Sequence, residues 1–276
     1  MLTGAPTIQT TVAAMKLGAV DYVTKPFHVD ELLELIRGAI VPRVPRARRI
    51  IVVDSDPGRR AALAVLLARF AADVATVEDA NDLDRTGGAP SLCVVIGLGP
   101  GRSALMHTVR SVRARFPDCP IVAKPESDDP DIVRELEALK PCEILRPSDE
   151  LADVLRRVGA SAVPHLAPTH LSTSVTRAIR CVSVKHAEKL TVESIADAID
   201  ISGSHLAHTF RVETGMTVMD FVTRVRVEIA KHLLATTKDN LAQIAARSGF
   251  FDASHLSRIF LLTTGRRPGF YRQLPR

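Results

Sequence analysis

The stretch SHLAHTFRVETG at 204–215 returns at 254–265 as SHLSRIFLLTTG. Ser204, His205, Leu206, Phe210, Thr214 and Gly215 recur in the same order as Ser254, His255, Leu256, Phe260, Thr264 and Gly265. Apolar residues four apart share one helix face, and a glycine after the last turn suits a left-handed helix end. Two copies are too few for a solenoid, which needs about three or more repeats to bury its faces. The duplication therefore serves a task that needs two similar elements.

In context each copy is the second helix of a helix-turn-helix. TVESIADAIDISGSHLAHTF gives a first helix at 191–199, a turn, and a second helix from 203; NLAQIAARSGFFDASHLSRIF gives helices at 241–248 and from 253, with the turn at Gly249. Thr191, Ser202 and Asp252 are expected as N-caps and Gly215 and Gly265 as C-caps. Ile195, Leu206, Phe210, Phe250, Leu256, Phe260 and Tyr271 read as packing. Between the units, residues 218–237 carry apolar positions at helical spacing and no breaker. Such a helix is roughly 30 Å long at 1.5 Å per residue. Successive major-groove faces of B-DNA lie about 34 Å apart, so a stiff spacer of this length suits two helices reading adjacent grooves.

Charge supports that reading. Residues 165–276 hold 15 Lys and Arg against 9 Asp and Glu, while the rest of the chain is nearly balanced. An excess confined to one segment is what a phosphate-tracking surface needs. No apolar run approaches the roughly 18 residues of a membrane span, and MLTGAPTIQT has no basic leader region. Cys93, Cys119, Cys142 and Cys181 show no C-x-x-C spacing, which suits free thiols in a reducing cytoplasm rather than metal or disulfide chemistry. No metal and no cofactor are expected.

Pro- and Arg-rich stretches divide the chain into 1–40, a linker at 41–48, a central segment at 49–160, a second linker at 161–172, and 173–276. The central segment alternates five strand-like runs, at 49–55, 73–78, 91–98, 120–125 and 142–147, with helical patterns; the link at 79–88 follows neither period. Alternation of that kind implies a parallel sheet covered on both faces. The expected fold is α/β followed by all-α: a flavodoxin-like parallel-sheet domain, then a tandem helix-turn-helix domain.

The stretch SGFFDASHLSRIFLLTTGRRPGFYRQ resembles the signature of AraC-type transcription regulators, and the likeness runs over 173–276. Gly249, Phe250, Ser254, Leu256, Ser257, Arg258, Phe260, Gly265, Pro268, Tyr271 and Arg272 are in register. The resemblance implies base reading by Ser204, Ala207 and His208 in the first unit and by Ala253, Ser254, Ser257 and Arg258 in the second. The Arg258 fork can take the O6/N7 edge of guanine. Arg211, Arg266 and Arg267 suit phosphate contacts, which position without specifying.

A second resemblance covers the first 160 residues. RIIVVDSDPGRRAAL and EILRPSDELADVL resemble the beginning and end of a response-regulator receiver domain. MLTG, AMKLGAVDYVTKPF and VDELLELI resemble the second half of another, with Thr3, Tyr22 and Lys25 at its motif positions. A receiver needs a carboxylate nucleophile at the end of its third strand and acidic residues that hold Mg²⁺. The central segment has Gly97 at the nucleophile position and keeps only Asp54 and Asp56 of the acidic set, so it reads as a degenerate receiver. For the first forty residues two readings stay open: a chain that begins further upstream, or a remnant packed against its neighbour.

These features predict a bacterial transcription regulator that binds double-stranded DNA and is not an enzyme. RNA polymerase, a signalling protein and a second copy of the chain are candidate partners; a membrane is not. The rival readings are a signalling adaptor with a vestigial DNA domain, and a nucleotide-dependent enzyme built on GLGPGR (97–102). The latter stretch lacks the spacing and the Lys-Ser/Thr of a phosphate loop.

Overall fold

The structure, a computed structural model, describes 2–3, 23–24 and, with short gaps, 49–96, 102–162 and 171–272. It divides into two compact units, Met1–Pro45 and Arg46–Arg276. In the first, β1 (Leu2–Thr3) pairs in parallel with β2 (Val23–Thr24).

The second unit opens on β3 (Ile50–Val53), four aliphatic residues that are all fully buried. A strand with both faces covered must read as a continuous apolar run, and this one does. The sheet continues through β4 (Val74–Val77), β5 (Leu92–Ile96), β6 (Ile121–Lys124) and β7 (Cys142–Ile144), in the order β4-β3-β5-β6-β7, with every pairing parallel. Each of the five strand-like runs thus contains a strand. The unassigned link at 79–88 holds a 3₁₀ helix, Ala80–Thr86, which starts where the Asp79 carboxylate accepts the Asn81 N–H at 2.7 Å.

Helices α1 (Pro57–Leu67), α2 (Arg102–Arg115), α3 (Pro130–Ala138) and α4 (Leu151–Ala162) connect and follow the strands. Asp56 and Asp129 cap α1 and α3, each followed by a proline whose missing N–H costs nothing at a helix start. The α4 helix runs two residues past the expected boundary at 160; 163–170 lie outside the described residues. Near the end of α2, the Arg113 guanidinium donates to the carbonyls of Pro117, Cys119, Leu139 and Pro141, at 2.5–3.2 Å. One side chain thereby satisfies the backbone of two turns.

The remaining helices are α5 (Thr173–Lys185), α6 (Val192–Asp197), α7 (Gly203–Thr214), α8 (Val218–Thr236), α9 (Leu241–Ser248), α10 (Ala253–Thr264) and α11 (Pro268–Arg272). At 19 residues α8 is about 28 Å long, and its apolar stripe runs from Val218 through Phe221 and Val225 to Leu234. Phe210 meets Phe221 at 5.4 Å between ring centroids, and Phe260 meets Tyr271 edge-on at 5.1 Å. One such contact lies in each half of the helical region, and Phe210, Phe221 and Phe260 are fully buried.

The α1 helix joins the sheet to the helices. Nine of its eleven residues are buried, because it packs against β3 and β4 and also against α5 and α8. A helix covered all round needs apolar residues on every face, which AALAVLL supplies. Gly58 marks the tightest approach: a Cβ there would fall 1.8 Å from the Ser183 carbonyl oxygen of α5. Among the described residues no helix is long and apolar enough to cross a membrane.

Candidate nucleic-acid interface

The two copies fold alike in detail. The α7 helix starts where the Ser202 hydroxyl accepts the His205 N–H, and α10 where the Asp252 carboxylate accepts the His255 N–H at 2.7 Å. Both end on a left-handed glycine, Gly215 with φ 76° and Gly265 with φ 71°. Immediately before each glycine a threonine folds back onto the preceding turn. Thr214 Oγ1 donates to the Phe210 carbonyl at 2.6 Å, and Thr264 Oγ1 to the Phe260 carbonyl at 2.8 Å. The same hydroxyls accept the N–H groups of Met216 and Arg266. The repeated Thr-Gly pair is thus a helix terminator written twice.

The inner faces are sealed. Ile195, Leu206, Phe210, Ile244, Leu256 and Phe260 are fully buried. On the outer face of α7, Ser204, Ala207, His208 and Arg211 are exposed; on α10, Ser254 and Arg258 are. Ala253 and Ser257 are half-buried, and the Ser257 hydroxyl donates to the Ala253 carbonyl at 2.8 Å. Arg267 is exposed, and Arg266 lies over the Phe270 ring, 4.1 Å from its centroid. A cation–π contact of that kind is worth about 0.5–1 kcal/mol at an exposed site.

The turns differ more than the helices. Gly249, at φ 83°, sits under the loop after α5: a Cβ there would lie 2.2 Å from the His186 carbonyl oxygen. The same loop is held by Arg226 of α8, which donates to the His186 and Glu188 carbonyls at 2.8 and 2.6 Å. Phe251, beside the Asp252 cap, is 90% exposed. Sequence reading missed this residue, since its neighbour Phe250 packs and periodicity does not separate two adjacent phenylalanines in a turn.

The acidic pair of the central segment is differently placed. Arg59 grips Asp54 through both carboxylate oxygens, at 2.5 and 2.8 Å, and the Asp56 N–H donates to it at 2.9 Å. Burial pushes the Asp54 carboxyl up to about 6, although Arg59 pulls the other way. Asp56 spends an oxygen on the α1 cap. Both Asp54 oxygens and one of Asp56 are thus engaged by protein donors. Among the described residues no group of His, Cys, Asp and Glu could hold a metal ion, and Cys119, Cys142 and Cys181 are free thiols. Thr3 lies on β1; Tyr22, Lys25 and Gly97 lie outside the described residues.

Comparison with known proteins gives this surface a class. Residues 195–274 match the model of a helix-turn-helix domain family. The bifunctional transcriptional activator/DNA repair enzyme AdaA of Bacillus subtilis is 36% identical over 87 residues, 32% of this chain and 41% of that protein. The transcriptional activator NphR of a Rhodococcus species is 33% identical over 108 residues, covering 39% and 32%. The arabinose operon regulatory protein of Escherichia coli is 35% identical over 81 residues, covering 29% and 28%. The C-terminal domain of AraT, a response regulator from Geobacillus stearothermophilus, is a similar solved structure, 29% identical, covering 38% of this chain and 88% of that one with a TM-score of 0.38. The C-terminal region is an AraC-type helix-turn-helix domain, with AraC-family relatives. The chain spans less than half the length of the curated relatives it matches.

Proposed function

We propose that this chain is a DNA-binding transcription regulator of response-regulator type, with α7 and α10 entering successive major grooves of one duplex. The observation that carries this reading is the two-sidedness of both helices: their inner faces are wholly buried, and the outer faces stay open although α1 packs on the α8 spacer. Residues 173–276 bind the DNA. Arg258 reads a guanine, Ser204, Ala207, His208, Ala253, Ser254 and Ser257 line the rest of the base-reading faces, and Arg211, Arg266 and Arg267 contact phosphates. The relatives' names, two of them transcriptional activators, support the assignment.

In this reading 49–160 is a degenerate receiver that takes no phosphoryl group. Gly97 brings no nucleophile, and Asp54 is clamped by Arg59. The segment 1–40 is the second half of another receiver. RNA polymerase, a signalling protein and a second copy of the chain are the partners this assignment implies.

An electrophoretic shift against genomic fragments taken upstream of open reading frames tests the central assignment. Retention of a discrete subset at physiological salt is expected, and equal or absent binding to all fragments contradicts it. Separately, incubation with acetyl phosphate and Mg²⁺ should leave the intact mass unchanged. A gain of one phosphoryl group, abolished by changing a single Asp within 49–160, contradicts the degenerate-receiver assignment.

A further inference from the structure

A cavity of about 530 Å³ lies between the carboxyl-terminal edge of the sheet and α5. In parallel α/β sheets that edge is where ligands bind. Here α5, from the helical region, forms the opposite wall, with Leu63 and Val154 supplying apolar surface.

The two walls carry opposite charge and do not close on each other. On the α5 side stand Arg177 and Arg180; on the sheet side, Glu126 after β6 and Glu150 after β7. Arg177 reaches only the exposed Asp200, at 3.4 Å. Among the described residues no hydrogen bond or ion pair engages the side chains of Arg180, Glu126 and Glu150, while Glu126 acts electrostatically on Arg59 and Lys124. The cavity's other charged groups are already committed: Arg59 to Asp54, Lys124 to the Pro147 carbonyl at 2.7 Å, Asp56 to the α1 cap and Asp149 to the Arg146 N–H. Thr176 of α5, 7% exposed, also lines the cavity.

We propose that this cavity is a binding site for a zwitterionic amino acid or dipeptide. The ligand carboxylate faces Arg177 and Arg180, its ammonium faces Glu126 and Glu150, and its stem lies on Leu63 and Val154. The volume falls within the roughly 300–1,000 Å³ range of small-molecule sites. An occupant touches the sheet edge and α5 at once, and α5 packs on both α6 and α7 of the first helix-turn-helix. The site is therefore placed to couple a metabolite to the first DNA-reading unit. It does not depend on the DNA-binding assignment, since occupancy is measured without DNA.

Thermal unfolding of the full chain tests it. The probes are the twenty free L-amino acids, glycyl-leucine and leucyl-leucine, with acetate and methylammonium as single-charge comparisons. At least one zwitterion at about a hundredfold its Kd should raise Tm by about 5 °C or more, with neither single-charge probe doing so. Arg180→Ala and Glu150→Ala change exposed side chains, and each should weaken that ligand about tenfold or more in calorimetric titration. No shift from any zwitterion, equal shifts from acetate or methylammonium, or undiminished binding by either variant overturns the proposal.

Discussion

Both helix-turn-helix units pack against α5 or the loop after it, but the second carries the stronger positive charge. In the first, Glu213 of α7 accepts the Ser172 N–H at 2.7 Å, tying the end of that helix to the start of α5, and the outer face offers Ser204, Ala207 and His208. The second presents the permanent cation Arg258, with Arg266 and Arg267 following its C-cap. Duplicated caps give the same helix twice, while on the outer faces Ser204 recurs as Ser254 but Ala207 and His208 give way to Ser257 and Arg258. The comparison teaches that cap and core residues repeat where helix geometry needs them, and that the two units differ in side chains at 207, 208, 257 and 258.

The largest expected effect separates two engaged units from one. Contacts to about 6–10 phosphates make affinity fall about 10³–10⁵-fold between 50 and 200 mM salt. Binding by the second unit alone would roughly halve the slope of log K against log salt, which titrations at four salt concentrations distinguish.

Next come two of the three left-handed glycines among the described residues. Gly249→Ala meets both the positive φ and the His186 carbonyl 2.2 Å away, and should cost about 3–4 kcal/mol. Gly215→Ala meets only the positive φ, with nothing within 4 Å, and should cost about 1–2 kcal/mol. Denaturant unfolding of the pair checks this. Equal costs would mean that the second turn is not braced by the loop after α5.

The reading residues give a smaller difference. Arg258→Ala should lose about 1–3 kcal/mol at the cognate site and blur preference at one base position. His208→Ala should lose less, and Arg267→Ala should weaken all sequences alike. Competition binding with single-base variants of the site measures all three.

What the sequence showed, and what it hid, follows from the range of the interactions involved. Caps act within one turn, so Thr191, Ser202, Asp252, Gly215 and Gly265 could each be recognised locally, and all five cap as expected. The β3 run was legible because a fully covered strand must be apolar throughout. The α1 helix was not: AALAVLL is apolar on every face, and nothing within it names α5 and α8 as the second layer. Gly58 looks like an ordinary glycine near a helix start until Ser183, far along the chain, is laid against it. The Arg113 fan and the charged cavity are hidden for the same reason, since both assemble from distant segments. Of the candidate interface, the outer positions are named by the family resemblance, and of these Ala253 and Ser257 are half-buried. The tether between the Ser257 hydroxyl and the Ala253 carbonyl could not be read from the sequence.

Hydroxyl-radical and methylation-interference footprinting of the full chain on a selected site tests the central claim most directly. Two tracts of major-groove contact, centred about 10 base pairs apart on one face of the duplex, are predicted. Arg258→Ala should erase interference at a guanine in one tract and leave the other intact. A single tract, or two tracts unaltered by Arg258→Ala, would contradict the account.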